Sequence, residues 1–247
     1  MSEEDTHRLA LHQGLSALNE NMKTLADLTE MAIREAVKSL LEGDLQRAES
    51  VLAIDREAYA LTRVVQSNCV NLIALHAPVA KDLRLITTSL EITTDLERAT
   101  RLARHICEVS QELADERIVA PPPLSTLTRM AELSTEMVGR AVQAFIHLDA
   151  ASVSTIAQLD DAVDELHEKL FAELVARMTD GSLPIPVGAR YVLVNRFLER
   201  ISDHAVSIGE RVVYLVTGTM PQKHLRRHAA PPPKAQAPDP SGTSSAG

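Results

Sequence analysis

The 247-residue chain contains no Trp, three Tyr and three Phe, so only 2% of it is aromatic although 45% is apolar. Its core must come from Leu, Ile, Val, Ala and Met. Sandwiches and barrels draw on aromatic and β-branched side chains and on frequent turn glycines. With nine Gly and long stretches free of any breaker, an all-β fold is excluded. Cysteine is as scarce: Cys69 and Cys107 stand far apart without metal-ligand spacing, and read as small core hydrophobes of a reducing compartment. A structural zinc module is excluded, and a chain of this length needs neither metal nor disulfide to fold. No stretch reaches the ~18 uninterrupted apolar residues of a membrane span, and Met1–Arg8 is acidic and polar rather than signal-like. A cytoplasmic protein is expected. Positive charge is also short, with 25 basic against 34 acidic residues and a net charge of -9. Residues 221–247 hold four basic residues and one acidic, a charge of +3, which leaves -12 on residues 1–220. A broad nucleic-acid footprint is not expected there.

What is present is organised by proline. Pro78, Pro121–Pro123, Pro184 and Pro186 interrupt the body of the chain, and five more crowd into residues 231–240 among Ala, Ser, Gly and Gln. That last stretch cannot bury enough apolar surface to order itself, so disorder is expected from about Pro221. Pro121–Pro123 reads as a stiff linker between two helical halves, and Pro78 and Pro184 as turn markers within them. Between these marks the apolar pattern is helical. Val51, Ile54, Ala58, Leu61, Val65, Asn68, Leu72 and Leu75 form one stripe, Asn68 being its single polar member; Ile92, Leu96, Ala99, Ala103, Ile106 and Leu113 form another. Val194, Leu198, Ile201, Ala205, Ile208, Val212 and Leu215 form a third.

The last two stripes superimpose at an offset of 102, carrying Leu96-Glu97-Arg98 onto Leu198-Glu199-Arg200. Upstream the offset is 105, with Ala36-Val37 over Ala141-Val142, Asp44 over Asp149 and Asp55 over Asp160. The chain is internally duplicated, and the difference in offset falls in the turns near Pro78 and Pro184. The expected architecture is all-α: two tandem three-helix bundles at 1–118 and 124–220, helices of roughly 25–35 residues, and a disordered tail at 221–247.

Acidic pairs spaced four apart put two carboxylates on one helical face. The second half has two on successive helices, Asp160 with Asp164 and Glu199 with Asp203. Such a gathering repels itself unless a cation or water separates its members, and hard oxygen ligands suit iron, manganese, magnesium or calcium. A solvated acidic face is the competing reading. By helical angle, Asp160 and Asp164 flank their apolar stripe while Glu199 and Asp203 lie farther round, so a metal here would occupy a surface groove. A ferritin-type di-iron oxidase would need two Glu-x-x-His motifs, to which Asp164 with His167 is the nearest approach. At the matching positions of the first half, Asp55 and Glu97 remain, but Tyr59 replaces Asp164 and Arg101 replaces Asp203. Four residues from Glu97, the Arg101 guanidinium could neutralise Glu97 and Asp55 where the other half would use a metal. An ordinary helical ion pair is the plainer alternative.

The segments AKDLRLITTSLEITTDLER (80–98) and RFLERISDHAVSIGE (196–210) resemble the two signature helices of the PhoU family of phosphate-signalling regulators. AVKSLLEGDLQRAESVLAIDRE and AFIHLDAASVSTIAQLDDAVDEL resemble its second-helix motifs, and the likeness spans roughly residues 6–217. The resemblance implies two three-helix bundles related by a pseudo-two-fold, a homodimer, and surface metal clusters built on acidic pairs. Carried onto this chain, those pairs are Asp160 with Asp164 and Glu199 with Asp203, with Fe(III), Mn(II) or Mg(II) as the metal. It also implies a cytoplasmic, non-enzymatic adaptor that contacts the ATPase of a phosphate ABC transporter and a phosphate-sensing histidine kinase. Phosphate uptake and the starvation response would thereby be damped, and the membrane reached only through these partners. The first half departs from the family: LERATR stands for Leu-Glu-Arg-Ile-Gly-Asp, and His105 for a later Asn or Asp. In the second half Ser207 stands for a frequent Asn. One full site and one degenerate site, at Asp55, Tyr59, Glu97 and Arg101, are expected.

Other motifs carry less. His204 beside Asp203 admits a phosphotransfer reading, against that of an ordinary surface histidine. KHLRRH (223–228) could touch acidic headgroups, nucleic acid or a partner, against a solvated tail. Neither a Gly-rich phosphate loop nor a supported Ser/His/Asp or Cys/His arrangement occurs, which argues against an enzyme. The alternative function is a helical-bundle metal-binding protein or metal-dependent enzyme unrelated to phosphate signalling.

Overall fold

A computed structural model describes residues 3–115, 125–219 and 221. Three helices, α1 (Glu3–Glu42), α2 (Leu45–His76) and α3 (Ala80–Asp115), form the first bundle, and α4 (Ser125–His147), α5 (Val153–Thr179) and α6 (Ile185–Thr217) the second. Among the described residues there is no strand. The fold is all-α, two three-helix bundles in tandem. The Pro121–Pro123 linker and the tail beyond Pro221 fall outside the described residues.

The turns form where the breakers stand. Gly43 takes a left-handed φ of 67°, and the Asp44 carboxylate then accepts from the Arg47 backbone N–H at 3.1 Å, capping α2. At the duplicate position, Asp149 accepts from the N–H groups of Ala151 and Ser152 at 3.0 and 3.2 Å. Pro78 separates α2 from α3, and Pro184 is the N-cap of α6. Three lengths depart from the expected range of roughly 25–35 residues: α1 has 40, α4 has 23 and α3, at 36, just exceeds it. Nothing in the polar stretch from Glu3 to Arg8 breaks a helix, so α1 runs on through it.

The stripes of α3 and α6 are buried throughout. That of α2 holds at Val51, Ala58, Val65 and Leu72, but its buried members also include Thr62 and Cys69, while Leu75 is 71% exposed. A spacing alternating between three and four averages 3.5, and an α-helix drifts about 20° per heptad away from it, so the stripe's far end turns out of the core. Both cysteines are wholly buried, and burial pushes the thiol of Cys69 up to about 11 and that of Cys107 to about 12.

One continuous aliphatic core runs through both bundles, because α3 packs on α6 and α1 on α4. Within it, hydroxyls pair across helices: Thr29 of α1 with Thr100 of α3 at 2.9 Å, and Ser134 of α4 with Ser202 of α6 at 2.9 Å. These two pairs are related by the same offsets of 105 and 102 that relate the two halves. No helix among the described residues is long and apolar enough to cross a membrane.

Candidate functional site

The short turn from Asp180 to Pro184 folds α6 back along α5. That hairpin brings Asp164 of α5 into electrostatic reach of Glu199 and Asp203 of α6, with His167 beside them. Burial, and then the charge of Asp203, raise the Asp164 carboxyl above its ordinary value, while His167 opposes the rise. Burial, and then Asp203, likewise raise Glu199, with Arg196 and His167 pulling the other way. The fourth carboxylate expected from the sequence, Asp160, is also buried, one turn before Asp164, but it is not among the charges chiefly acting on Asp164 or Glu199. Asp164, Glu199 and Asp203 thus act on one another electrostatically across the α5–α6 hairpin.

Asp164, Asp203 and Glu199 are all partly buried. The Glu199 side chain is only 16% exposed and forms an ion pair with Arg196. Its other oxygen, Oε2, is buried without a hydrogen-bond partner, as are Nδ1 of His167 and Oδ1 of Asn195. Buried polar atoms rarely go unpaired, because desolvation without a partner costs about 1–3 kcal/mol. Asn195 donates its Nδ2 to the His167 carbonyl at 3.0 Å, so its amide oxygen is the end left over. The surplus is of acceptor atoms and negative charge, the donor chemistry that a hard cation satisfies. Among the described residues, however, no three His, Cys, Asp or Glu side chains converge as a metal-holding group. Ser207 donates its hydroxyl to the Asp203 backbone carbonyl at 3.0 Å.

The first bundle answers the same problem with arginine. Arg101 forms an ion pair with Glu97 directly. Asp55 is reached instead by Arg104, whose Nε lies 3.4 Å from its Oδ2, while the same guanidinium donates to Glu108 at 2.7 Å. Asp55 is raised by burial, with Arg104 and then Arg101 opposing. Tyr59 does not fill the place of Asp164: it is 55% exposed and points outward.

His204 is not a free surface residue. Its Nδ1 meets Asp95 of α3 at 2.9 Å, and Arg211 donates to the other Asp95 oxygen at 3.0 Å and to Glu91 at 2.8 Å. Asp95 is 3% exposed, so this network clamps the two bundles together through a buried carboxylate. Its ring is thereby oriented by a carboxylate through Nδ1, unlike that of an ordinary surface histidine. The sequence reading missed Asn195, Arg104 and Asp95. For Asn195 the available signal was an amide beside Val194 in a stripe otherwise aliphatic.

Comparison with known proteins agrees with this architecture. The PhoU domain matches residues 22–110 and again 127–212, one copy per bundle. The chain is 31% identical over 214 residues to the phosphate-specific transport system accessory protein PhoU homolog 1 of Mycobacterium tuberculosis, covering 87% of this chain and 96% of that protein. It is 32% identical over 212 residues to the PhoU homolog of Deinococcus radiodurans, covering 86% and 99%. The crystal structure of PhoU from Pseudomonas aeruginosa superposes with a TM-score of 0.79 at 30% identity, over 84% of this chain and 99% of that one. The phosphate transport system regulatory protein PhoU from Streptococcus pneumoniae gives 0.77 at 27% identity, over 87% and 99%. With the duplication, the two bundles and both domain copies in agreement, the chain belongs to the PhoU family.

Proposed function

We propose that this protein is a regulator of phosphate transport. The observation that carries the reading is similarity along nearly the whole length of proteins named as phosphate-specific transport accessory proteins, at 96% and 99% of two of them. In this reading it acts in the cytoplasm as a homodimer and contacts the ATPase of a phosphate ABC transporter and a phosphate-sensing histidine kinase. It lowers uptake and the starvation response when phosphate is ample. Two bundles clamped through Asp95 and sharing one core give a stiff body, suited to docking rather than to a reaction cycle. The test is deletion of the gene in its host, followed by phosphate uptake and a starvation-response reporter in phosphate-rich medium. Both are expected to rise and to return on complementation; a deletion that leaves both unchanged overturns the proposal.

The metal belongs to the same reading. Asp164, Glu199 and Asp203 would hold it, with His167 and Asn195 as further donors and Asp160 a turn away. The unpaired Glu199 oxygen and the raised carboxyls support a hard cation there, Fe(III), Mn(II) or Mg(II). When bound, it supplies positive charge that cancels the mutual repulsion of the three acids.

A further inference from the structure

The duplication has a second product, on the seam between the bundles. Glu97 and Glu199 are followed by Arg98 and Arg200, the last residues of the repeated Leu-Glu-Arg. Because α3 packs against α6, these two equivalent arginines do not end up on opposite ends of the molecule. Both line one cavity of about 440 Å³, together with Arg101, His105, His204 and Leu102, and with Phe197 as a wall.

The charge of this cavity is opposite to that of the protein. The chain carries -9 overall, and most of its arginines in the bundles are matched by carboxylates. Arg101 is matched too, by Glu97. Arg98 and Arg200 are not: neither makes a hydrogen bond or ion pair among the described residues. Two unpaired guanidiniums on one concavity repel each other, and each presents a planar fork of donors that fits an oxyanion. The two histidines are fixed in a matching way. His105 directs Nδ1 to Glu108 at 2.7 Å, and His204 directs Nδ1 to Asp95 at 2.9 Å. In each ring a carboxylate accepts from Nδ1, which leaves Nε2 as the nitrogen open to a ligand. The His105 ring is further held against Phe197, with centroids 5.6 Å apart. A cavity of this size lies in the range of small-molecule sites, about 300–1,000 Å³, and exceeds what one bare anion fills.

The geometry points to an oxyanion site in which Arg98 and Arg200 grip a phosphoryl group from both bundles at once. The ligand is a phosphoryl group, either inorganic phosphate or that of a nucleotide whose remainder lies along Phe197; its protonated oxygen donates to an Nε2 lone pair while the guanidiniums take the charged oxygens. The binding argument stands on charge and geometry alone; its use as a signal rests on the regulatory role proposed above. Binding through arginines from both repeats would tie occupancy to the way the bundles sit on each other.

The test is calorimetric titration of the purified full chain with inorganic phosphate, AMP and ATP, in EDTA so that metal-bridged phosphate is excluded. Saturable binding of at least one probe is expected, weakened at least about tenfold in Arg98→Ala/Arg200→Ala and left unchanged in Arg129→Ala, which lies on α4 away from the cavity. Phosphate binding identifies the free ion as the source, and nucleotide binding without phosphate identifies the nucleotide. Circular dichroism verifies that the double variant is folded, and Arg98→Lys/Arg200→Lys, which keeps the charge but loses the fork, is expected to recover only part of the affinity. Binding that survives in the folded double alanine variant, or no binding of any probe at millimolar concentration, overturns the site. Neither of those results touches the regulatory role, which is read from the deletion strain.

Discussion

The two bundles share a backbone plan and differ in how they handle buried negative charge. In the first, Arg101 pairs with Glu97 and Arg104 reaches Asp55, so each acid has a guanidinium at hand. In the second, Asp203 stands where Arg101 stands, and it pushes the carboxyls of Asp164 and Glu199 upward instead of neutralising a neighbour. One exchange within a repeat therefore puts a repelling charge where a neutralising one stood, and leaves Arg196 on Glu199 as the guanidinium paired with the second bundle's acids. A half-buried acid cluster needs positive charge, and that charge is either covalently present as arginine or recruited from solution as a cation. The first solution is permanent, whereas the second, in the metal-bound reading proposed above, answers to metal supply.

The largest expected effect falls on the metal proposed for the second bundle. Glu199→Ala/Asp203→Ala is expected to lower Mn(II) affinity by at least about 100-fold, more than the 10–100-fold typical of supporting residues, measured by calorimetry on the full chain. Asp55→Ala/Glu97→Ala is expected to change it little, and equal losses from both variants would erase the asymmetry. Next in size is stability. Arg104→Ala strands Asp55 in its half-buried setting and is expected to cost about 1–2 kcal/mol, read as a lower thermal midpoint. Glu199→Gln is expected to do the reverse in EDTA, raising the midpoint by roughly 2–4 °C for about 1 kcal/mol of relieved repulsion and desolvation. Smallest is a pH effect. Asp55 has its folded value raised above the ordinary 3.8, so its stabilising contribution is full below that value and is lost as pH rises through the folded one. Thermal melts between pH ~4 and ~6 are expected to show a shallower slope in Asp55→Asn than in the parent chain.

Much of this fold was legible in one dimension. Aliphatic stripes such as Ile92 to Leu113 mark buried helix faces without help from neighbours, and the repeat of Leu-Glu-Arg at a constant offset exposes the duplication. Acids four apart must share a face, so Glu199 and Asp203 could be paired on paper. What could not be read is anything set by the crossing of two helices. Asp55 is served by Arg104 rather than Arg101 because the contact depends on how α2 lies against α3, not on spacing along either. Asp95, His204 and Arg211 meet only because α3 packs on α6, and the facing of Arg98 and Arg200 has the same origin. The angular estimate also placed Glu199 too far out, since it considered one helix alone and not the neighbour that covers it.

The hydroxyl pairs of the core bear on a different question, which is why the helices stop sliding. Leu, Ile, Val and Ala are nearly interchangeable under a one-turn shift of about 5.4 Å, and a core with so few aromatics has little shape to resist it. Thr29 with Thr100 and Ser134 with Ser202 resist it chemically, since a slip would leave each oxygen facing methyl groups. In each pair both hydroxyls also reach their own helix carbonyls four residues back, Thr29 at 2.8 Å and Thr100 at 3.0 Å, Ser134 at 2.8 Å and Ser202 at 3.3 Å, so either can give its proton to its own turn while accepting from its partner. Each bundle thus has a polar detent at the matching place that fixes axial alignment, and the first adds another where Ser39 of α1 meets Ser110 of α3 at 3.3 Å.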